Sequence, residues 1–216
     1  MTLNSAEPPN DDREMRMALA DHTGPRIDAD IPSALLHDPL TGLPNRALLF
    51  DRIDMARRRM SRTGEPMAVI HCTLDPLAAV ADRAGRDVAD RLVATFASRF
   101  EGAIRSSDTA ARLGNEDLVL VCERLRDSEA VRIIIDRLQA AVTEPVVVDG
   151  TEHRHGVSIG VVITNDAGYP VEELLATASD LQRKAAGDPL PRVRVIDWNL
   201  GLISEAASVL DSRTKP

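Results

Sequence analysis

The chain has 216 residues, 44% of them hydrophobic, which suits one α/β domain with flanking segments better than two full domains. Its net charge of -8 disfavours a nucleic-acid polymer or an anionic membrane surface as partner, and its 2% of aromatic residues excludes the stacking platforms of a single-strand binder. No apolar run approaches the roughly 18 to 20 residues of a membrane span, so we expect no membrane insertion and a cytoplasmic location.

The first half of the chain predicts an arm, a helix, a strand and two more helices. Residues 1–31 are polar and punctuated by proline, which predicts a disordered or partly helical arm. From Asn45 to Gly64 the apolar residues recur at helical spacing. The run MAVIHCTL at 67–74 predicts a buried strand, and two helices broken at Gly85 follow it.

The second half predicts a β-hairpin, two helices and further strands. Two short apolar runs flank GNED at 114–117, and residues 127–142 have a helical pattern. Two strands joined by a turn, a helix and a last strand follow, so residues 32–197 predict an α/β sandwich around a βαββαβ core. The tail, 198–216, carries its apolar residues on one helical face, which predicts an amphipathic helix.

The thiols and imidazoles give no sign of a metal site. Cys72 and Cys122 lie inside apolar runs, which predicts buried thiols in a reducing compartment. His153 and His155 share a strand face, but no acid at ligand spacing joins them. We expect His71 to be structural.

Several motifs resemble those of one family. LLHDPLTGLPNR at 35–46 resembles the segment that opens GGDEF domains, the diguanylate cyclases of bacterial signalling. RLGNEDLVLV resembles the RxGGDEF hairpin that names the family, and VSIGVVI at 157–163 resembles its later SxG strand. The resemblance covers about residues 33–197. It implies a fold like the adenylyl cyclase catalytic core, a mainly antiparallel sheet flanked by helices, with GTP lying across the hairpin.

The resemblance also implies a damaged catalytic site. Family enzymes join two GTP molecules into cyclic di-GMP with magnesium, a hard cation that prefers carboxylate oxygen. Asp75 lies too far along its strand to replace the first metal-binding aspartate, and we expect it to cap the following helix. Four positions at which the family has a ligand are neutral here: Thr73 for the metal-binding aspartate, Ala78 for a lysine, Ala81 for a guanine-contacting asparagine and Ala186 for a phosphate-binding lysine.

What remains of the hairpin is interpreted as vestigial. Glu116 and Asp117 match the catalytic acids, and Glu116 is the candidate ligand for a metal bound weakly or not at all. Gly114, Asn115 and Asp90 match GTP-binding positions, but the Asn115 side chain fills space that a second glycine leaves empty. Asparagine tolerates positive φ, so we expect the turn to form. No cofactor is expected to be required, and Mg²⁺ only if cyclase activity persists.

A second motif resembles the inhibitory site of the family. RSSD at 105–108 implies that Arg105 and Asp108 bind cyclic di-GMP, with a second arginine from the next helix, Arg132 or Arg137. Arginine can fork onto guanine O6 and N7, and aspartate accepts from guanine donors. We therefore expect an impaired GGDEF-domain signalling protein that binds cyclic di-GMP or holds a protein partner or a second copy. Two alternatives stay open: an active diguanylate cyclase, and a scaffold that binds no nucleotide.

Overall fold

Helices cover both faces of a six-stranded sheet. The computed structural model describes residues 33–75, 77–190, 192–199 and 202–205; the predicted arm at 1–31 and the tail from 206 lie outside the described residues. The helices are α1 (Arg46–Thr63), α2 (Ala78–Ala84), α3 (Arg86–Ala103), α4 (Ser128–Thr143) and α5 (Val171–Ala186). The strands are β1 (Met67–Leu74), β2 (Thr109–Arg112), β3 (Asp117–Cys122), β4 (Val146–Val148), β5 (Thr151–His153), β6 (Val157–Thr164), β7 (Val193–Asp197) and β8 (Leu202–Glu205).

The sheet is mainly antiparallel, as the family resemblance implies. Its strand order is β2-β3-β1-β6-β7-β8, and β6 with β7 forms its parallel pair. The prediction that one turn joins the strand after α4 to β6 is wrong. β4 instead pairs with β5 in a separate two-stranded ribbon, while β6 pairs with β1 and β7. A short polar stretch, Thr151–His153, gave no apolar signal, and its pairing depends on the turn at Asp149 and Gly150, both of which have positive φ.

The sheet divides the interior into two apolar layers. Alternate β1 residues point to opposite faces, so Ile70 and Cys72 pack with α3 and α4, while Met67 and Val69 pack with α1 and α5. Cys72 and its neighbour in the same layer, Cys122, are both buried and free, as predicted. Burial raises the pKa of both thiols, which keeps them protonated and unreactive.

The predicted helix of the tail is wrong where the structure describes it. Leu202–Glu205 forms strand β8, which pairs antiparallel with β7 from Asp197 to Arg194. Four residues are too few to distinguish a helical from a strand pattern, and they form a strand here because the edge of β7 supplies backbone hydrogen-bond partners. Of the helices in the described ranges, none has the length and apolar content needed to cross a bilayer.

Candidate functional site

The GNED turn is held in place by Arg112. Its Nε donates to the carbonyl oxygen of Gly114 at 2.9 Å, Nη2 donates to that of Asn115 at 3.2 Å, and Nη1 donates to both carboxylate oxygens of Asp38 at 2.9 and 3.1 Å. Partial burial raises the pKa of Asp38, but hydrogen bonds from Arg112 and Thr41 more than offset this and hold that pKa below its ordinary value. The ionised Asp38 carboxylate and Arg112 therefore support the hairpin through their hydrogen bonds.

Contacts within the segment at 35–46 hold Asp38 in position for Arg112. The Thr41 amide and hydroxyl donate to Asp38 Oδ1 at 2.9 and 2.8 Å, and the Gly42 amide donates to the Asp38 carbonyl at 2.8 Å. Gly42 has a φ of 73°, which favours glycine there, and Asn45 caps α1 by accepting from two of its first amides. The motif that carries the family resemblance thus holds the hairpin in place through Asp38, a role that the sequence alone did not reveal.

Thr73 and Asp117 form a direct hydrogen bond where the family resemblance implies a metal. They are opposite each other in the β1–β3 register, and the Thr73 hydroxyl donates to Asp117 Oδ1 at 2.6 Å. A neutral hydroxyl thereby occupies one acceptor site of the carboxylate, and Thr73 supplies no second negative oxygen there to share a cation with it.

Glu116 is committed to the backbone of the neighbouring loop. Its Oε1 accepts the amide proton of Leu77 at 2.6 Å, and its own carbonyl accepts that of Leu74 at 3.1 Å. Leu77 is the residue that precedes α2, so the Glu116 carboxylate supports the start of that helix. The sequence did not predict this contact.

The hairpin acids do not form a metal site made of protein side chains alone. In the part of the chain that the structure describes, no group of three or more His, Cys, Asp or Glu side chains is placed to hold a metal ion. The two hairpin acids are engaged with a hydroxyl and a backbone amide, and Thr73 offers no charge.

The prediction that Asp75 caps α2 is wrong. Its Oδ1 accepts from Arg192 at 2.7 Å and its Oδ2 accepts from the amide of Gly156 at 2.9 Å, while the amide of Leu77 at the start of α2 donates to Glu116 instead. Arg192, 117 positions further along the chain, reaches this carboxylate because β7 starts beside the first residues of β6, the strand next to β1. Asp75 therefore joins the loop after β1 to the start of β7.

The turn does not use the positive φ that asparagine tolerates. Among the described non-glycine residues, positive φ occurs at Arg124 and Asp149, so Asn115 has an ordinary backbone. A Cβ added at Gly114 would meet Asp117 Oδ2 at 3.5 Å, an ordinary contact. The expectation of a turn at 114–117 is confirmed, but its backbone requires glycine at neither position.

The remaining predicted GTP positions are scattered over three helices. Asp90 is half-buried on α3, Ala81 is half-buried on α2 against the core, and Ala186 is exposed at the end of α5. None of the three is joined to the hairpin acids by a hydrogen bond within the described residues.

The RSSD turn is ordered by Asp108. Its Oδ2 accepts the amide proton of Arg105 at 3.1 Å and its Oδ1 accepts that of Glu123, just after β3, at 3.2 Å. The Arg105 side chain is exposed and makes no ion pair with another described residue. On α4, Arg132 is paired with both Glu129 and Asp136, so it is already neutralised.

His71 is a buried titratable group close to the hairpin. It is 5% exposed, and its Nδ1 has no hydrogen-bond partner among the described residues. Burial lowers its pKa below the ordinary value of 6.5; the Asp117 carboxylate opposes this shift and the Arg183 guanidinium adds to it. His71 is therefore neutral in the folded protein at pH 7.

We expect the free energy of unfolding to fall as the pH drops below about 6.5. The unfolded chain binds a proton at His71 with the ordinary pKa, whereas the folded chain resists protonation until a lower pH. Between those two values the unfolded state binds more protons and is favoured. Urea unfolding at a series of pH values measures this slope, and His71→Leu should reduce it. Equal slopes in the two proteins would contradict the prediction.

The sheet topology and the acidic hairpin together are typical of one class of protein. A mainly antiparallel sheet with helices on both faces presents an acidic hairpin at one edge, latched by the segment before α1. Residues 35–187 match the family model "Diguanylate cyclase, GGDEF domain". The chain belongs to the GGDEF domain family.

Relatives and solved structures agree with this assignment. The chain is 33% identical over 153 residues, 71% of its length, to the bifunctional diguanylate cyclase/cyclic di-GMP phosphodiesterase MucR of Pseudomonas aeruginosa, and it spans only 22% of that protein. The GGDEF domain of TpbB from the same species superposes with a TM-score of 0.67 at 28% identity, covering 74% of this chain and 93% of that one. DgcB of Caulobacter crescentus, in complex with c-di-GMP, shares the fold at 18% identity with a TM-score of 0.70, covering 86% and 96%.

Proposed function

We propose that this chain is a catalytically impaired GGDEF domain that acts as a receptor for cyclic di-GMP through the RSSD turn. The observation that carries the loss of catalysis is the 2.6 Å hydrogen bond between Thr73 and Asp117, which occupies the place where a metal-binding pair would be. The observation that favours the receptor is an exposed Arg105, without an ion pair to any described residue, beside an ordered Asp108.

The impairment is argued from charge. Joining two triphosphates requires cations to neutralise the charge that develops on the phosphoryl oxygens, and a protein that lacks one such contact loses roughly 10² to 10³ in rate. Thr73, Ala78 and Ala186 lack the charged groups that the family resemblance implies there. Because one Glu116 oxygen also accepts the Leu77 amide, a divalent cation at this carboxylate would share its charge with a formed hydrogen bond.

The receptor role is argued from what is exposed and what is fixed. Asp108 fixes the turn by accepting two backbone amides, and its carboxylate keeps lone pairs for guanine N1 and N2 donors. Arg105 presents five donors in a planar fork, which suits guanine O6 and N7 or a phosphodiester. No metal is needed for such binding. DgcB, which shares the fold, forms a complex with c-di-GMP, and this supports the same ligand class here by analogy.

Calorimetry with cyclic di-GMP tests the receptor. The native protein should bind it, and Arg105→Ala should weaken binding by about a hundredfold, the size expected for a charge-assisted, forked contact. Arg105→Ala is the cleaner variant because the Asp108 carboxylate also holds backbone amides. Arg83→Ala, an exposed arginine on α2, is the matched control and should bind normally.

The enzyme alternative is tested in the same samples. GTP with Mg²⁺ or Mn²⁺ should yield no cyclic di-GMP. Formation of cyclic di-GMP by the native protein but not by Glu116→Gln would overturn the proposed loss of catalysis. If calorimetry detects no binding of either cyclic di-GMP or GTP, the proposed receptor function is wrong.

A protein partner or a second copy is a further candidate. The outward face of α1 carries an exposed Met55 among exposed arginines, within a protein of net charge -8. A partly apolar, basic helix face is suited to an acidic protein surface. Light scattering measures whether the chain dimerises through this face, and Met55→Glu should then yield monomers.

A further inference from the structure

One carboxylate joins the RSSD turn to the loop that follows β3. Asp108 accepts the amide of Arg105 with one oxygen and that of Glu123 with the other. Since the two amides share a single carboxylate, the backbones that carry Arg105 and Arg124 lie side by side. The hydrogen bond from the Glu123 amide to Asp108 thus ties the loop at 123–126 to the RSSD turn.

The 123–126 loop is rigidly anchored on both sides of Arg124. Glu123 accepts from Arg59 Nη1 with both oxygens at 2.7 Å. Leu125 is buried at 5% exposure, and its amide donates to the Pro66 carbonyl at 2.9 Å. Between these anchors Arg124 has a φ of 52°, and its side chain is 65% exposed. A non-glycine residue persists in that conformation where its surroundings hold it, so its side chain is presented from a fixed backbone.

At this corner, neither Arg105 nor Arg124 makes an ion pair shorter than 4.0 Å with another described residue. Burial is the first cause of the raised pKa of the Cys122 thiol, the charge of Asp108 adds to it and that of Arg105 opposes it, so the charged groups of the turn lie near Cys122, two residues before Arg124. Glu123 is paired with Arg59, and Asp108 keeps its negative charge while it accepts two backbone amides. Glu65 approaches Arg124 only to 4.0 Å, with both side chains about half exposed or more, a pair that contributes little.

We propose that Arg124 supplies the second guanidinium of the cyclic di-GMP site, facing the same ligand as Arg105. The inference deepens the proposed receptor function and rests on it. Two neighbouring guanidinium groups repel each other when no ligand is bound. Both gain favourable contacts when an anionic phosphodiester or the acceptor edge of a guanine lies between them. The loop after β3 then replaces α4 as the source of this residue.

The alternative source, α4, is less suited to the role. Arg132 would have to leave both Glu129 and Asp136 to contact a ligand. Arg137 is exposed, but α4 packs on α3 and no described hydrogen bond ties Arg137 to the RSSD turn. Within the described residues, Arg124 would have to break one ion pair, its long contact with Glu65.

Titration of the full chain with cyclic di-GMP by calorimetry separates these arginines. Arg124→Ala should weaken binding at least about tenfold, the usual effect of losing a charge-assisted hydrogen bond. Alanine has the same disadvantage as arginine at positive φ, so the fold should be unaffected, which thermal unfolding checks. Arg124→Lys keeps the charge but not the fork and should weaken binding less than alanine does. Arg132→Ala and Arg83→Ala should bind as the native protein does.

The outcomes distinguish this inference from the function on which it rests. If the native protein binds and Arg105→Ala does not, but Arg124→Ala binds normally, the inference is wrong and the receptor stands. Loss of binding in Arg132→Ala or Arg137→Ala with Arg124→Ala unaffected likewise overturns it in favour of α4. No binding by the native protein overturns both.

Discussion

Replacing Gly160 by alanine should destabilise the protein by about 3 kcal/mol or more, the upper range for overpacking a core. A Cβ built on Gly160 in β6 lies 2.1 Å from the carbonyl oxygen of Ala178 and 2.3 Å from the amide nitrogen of Gln182. Both are backbone atoms of α5, so no side chain can turn away to make room. The whole helix would have to lift from the sheet, which would also break the buried 2.6 Å hydrogen bond from Gln182 Nε2 to Ser158 Oγ.

Gly102→Ala is the matched control for this experiment. Gly102 lies in α3, and a Cβ there meets nothing within 4 Å. Alanine in an exposed helical position should be neutral or stabilising by about 0.5 to 1 kcal/mol. Urea unfolding of both variants, followed by fluorescence of Trp198, which stacks on Tyr169 with ring centroids 4.0 Å apart, measures the difference. Equal stabilities would mean that α5 can shift at no cost and would refute the prediction.

Thr73→Asp should make the stability of the protein depend on divalent cations. Without metal, the new carboxylate would lie against Asp117, opposite it on the neighbouring strand, and the repulsion should cost about 1 to 3 kcal/mol. Mg²⁺ or Mn²⁺ shared between the two carboxylates should recover this loss, since a ligand at 100 times its dissociation constant stabilises the folded state by about 2.7 kcal/mol. Thermal unfolding with and without the ion, in a chelator-treated sample, measures the effect.

Thr73→Asn is the control, because it has the shape of the aspartate without its charge. We expect its midpoint and that of the native protein to be insensitive to Mg²⁺, which the neutral partner of Asp117 cannot help to bind. We also expect Thr73→Asp to form no cyclic di-GMP from GTP, because Ala78, Ala81 and Ala186 are unchanged. A native protein that gained as much from Mg²⁺ as Thr73→Asp would show that the hydrogen bond does not block the cation.

Much of the fold was predictable because its signals are local. The helix from Asn45 to Gly64 has a cap, an apolar stripe and a terminating glycine within its own letters, and the structure reproduces each. β1 is an eight-residue apolar run whose length favours a strand buried on both faces. Thr151–His153 and Leu202–Glu205 were missed because they are short and become strands only through a neighbouring strand.

The sequence named the residues of the candidate site but not their contacts. The family resemblance grouped Glu116, Asp117 and Thr73, and the structure shows that Thr73 and Asp117 are opposite each other in the β1–β3 register. The letters could not show that Glu116 holds the Leu77 amide or that Asp75 pairs with Arg192, because these partners are distant in the chain.

The amino-acid order by itself determined the family, the helix after Asn45 with its cap, the long strands and the neutral residues at Thr73 and Ala186. Those features depend on residue type and on spacing over a few positions, and both can be read along the chain. Only the tertiary structure decided which donors each surviving acid accepts from, that 35–46 latches the hairpin, and that the loop with Arg124 adjoins the RSSD turn. A carboxylate accepts from whichever donor folding brings within about 3 Å, and that neighbour is set by how the sheet and helices pack.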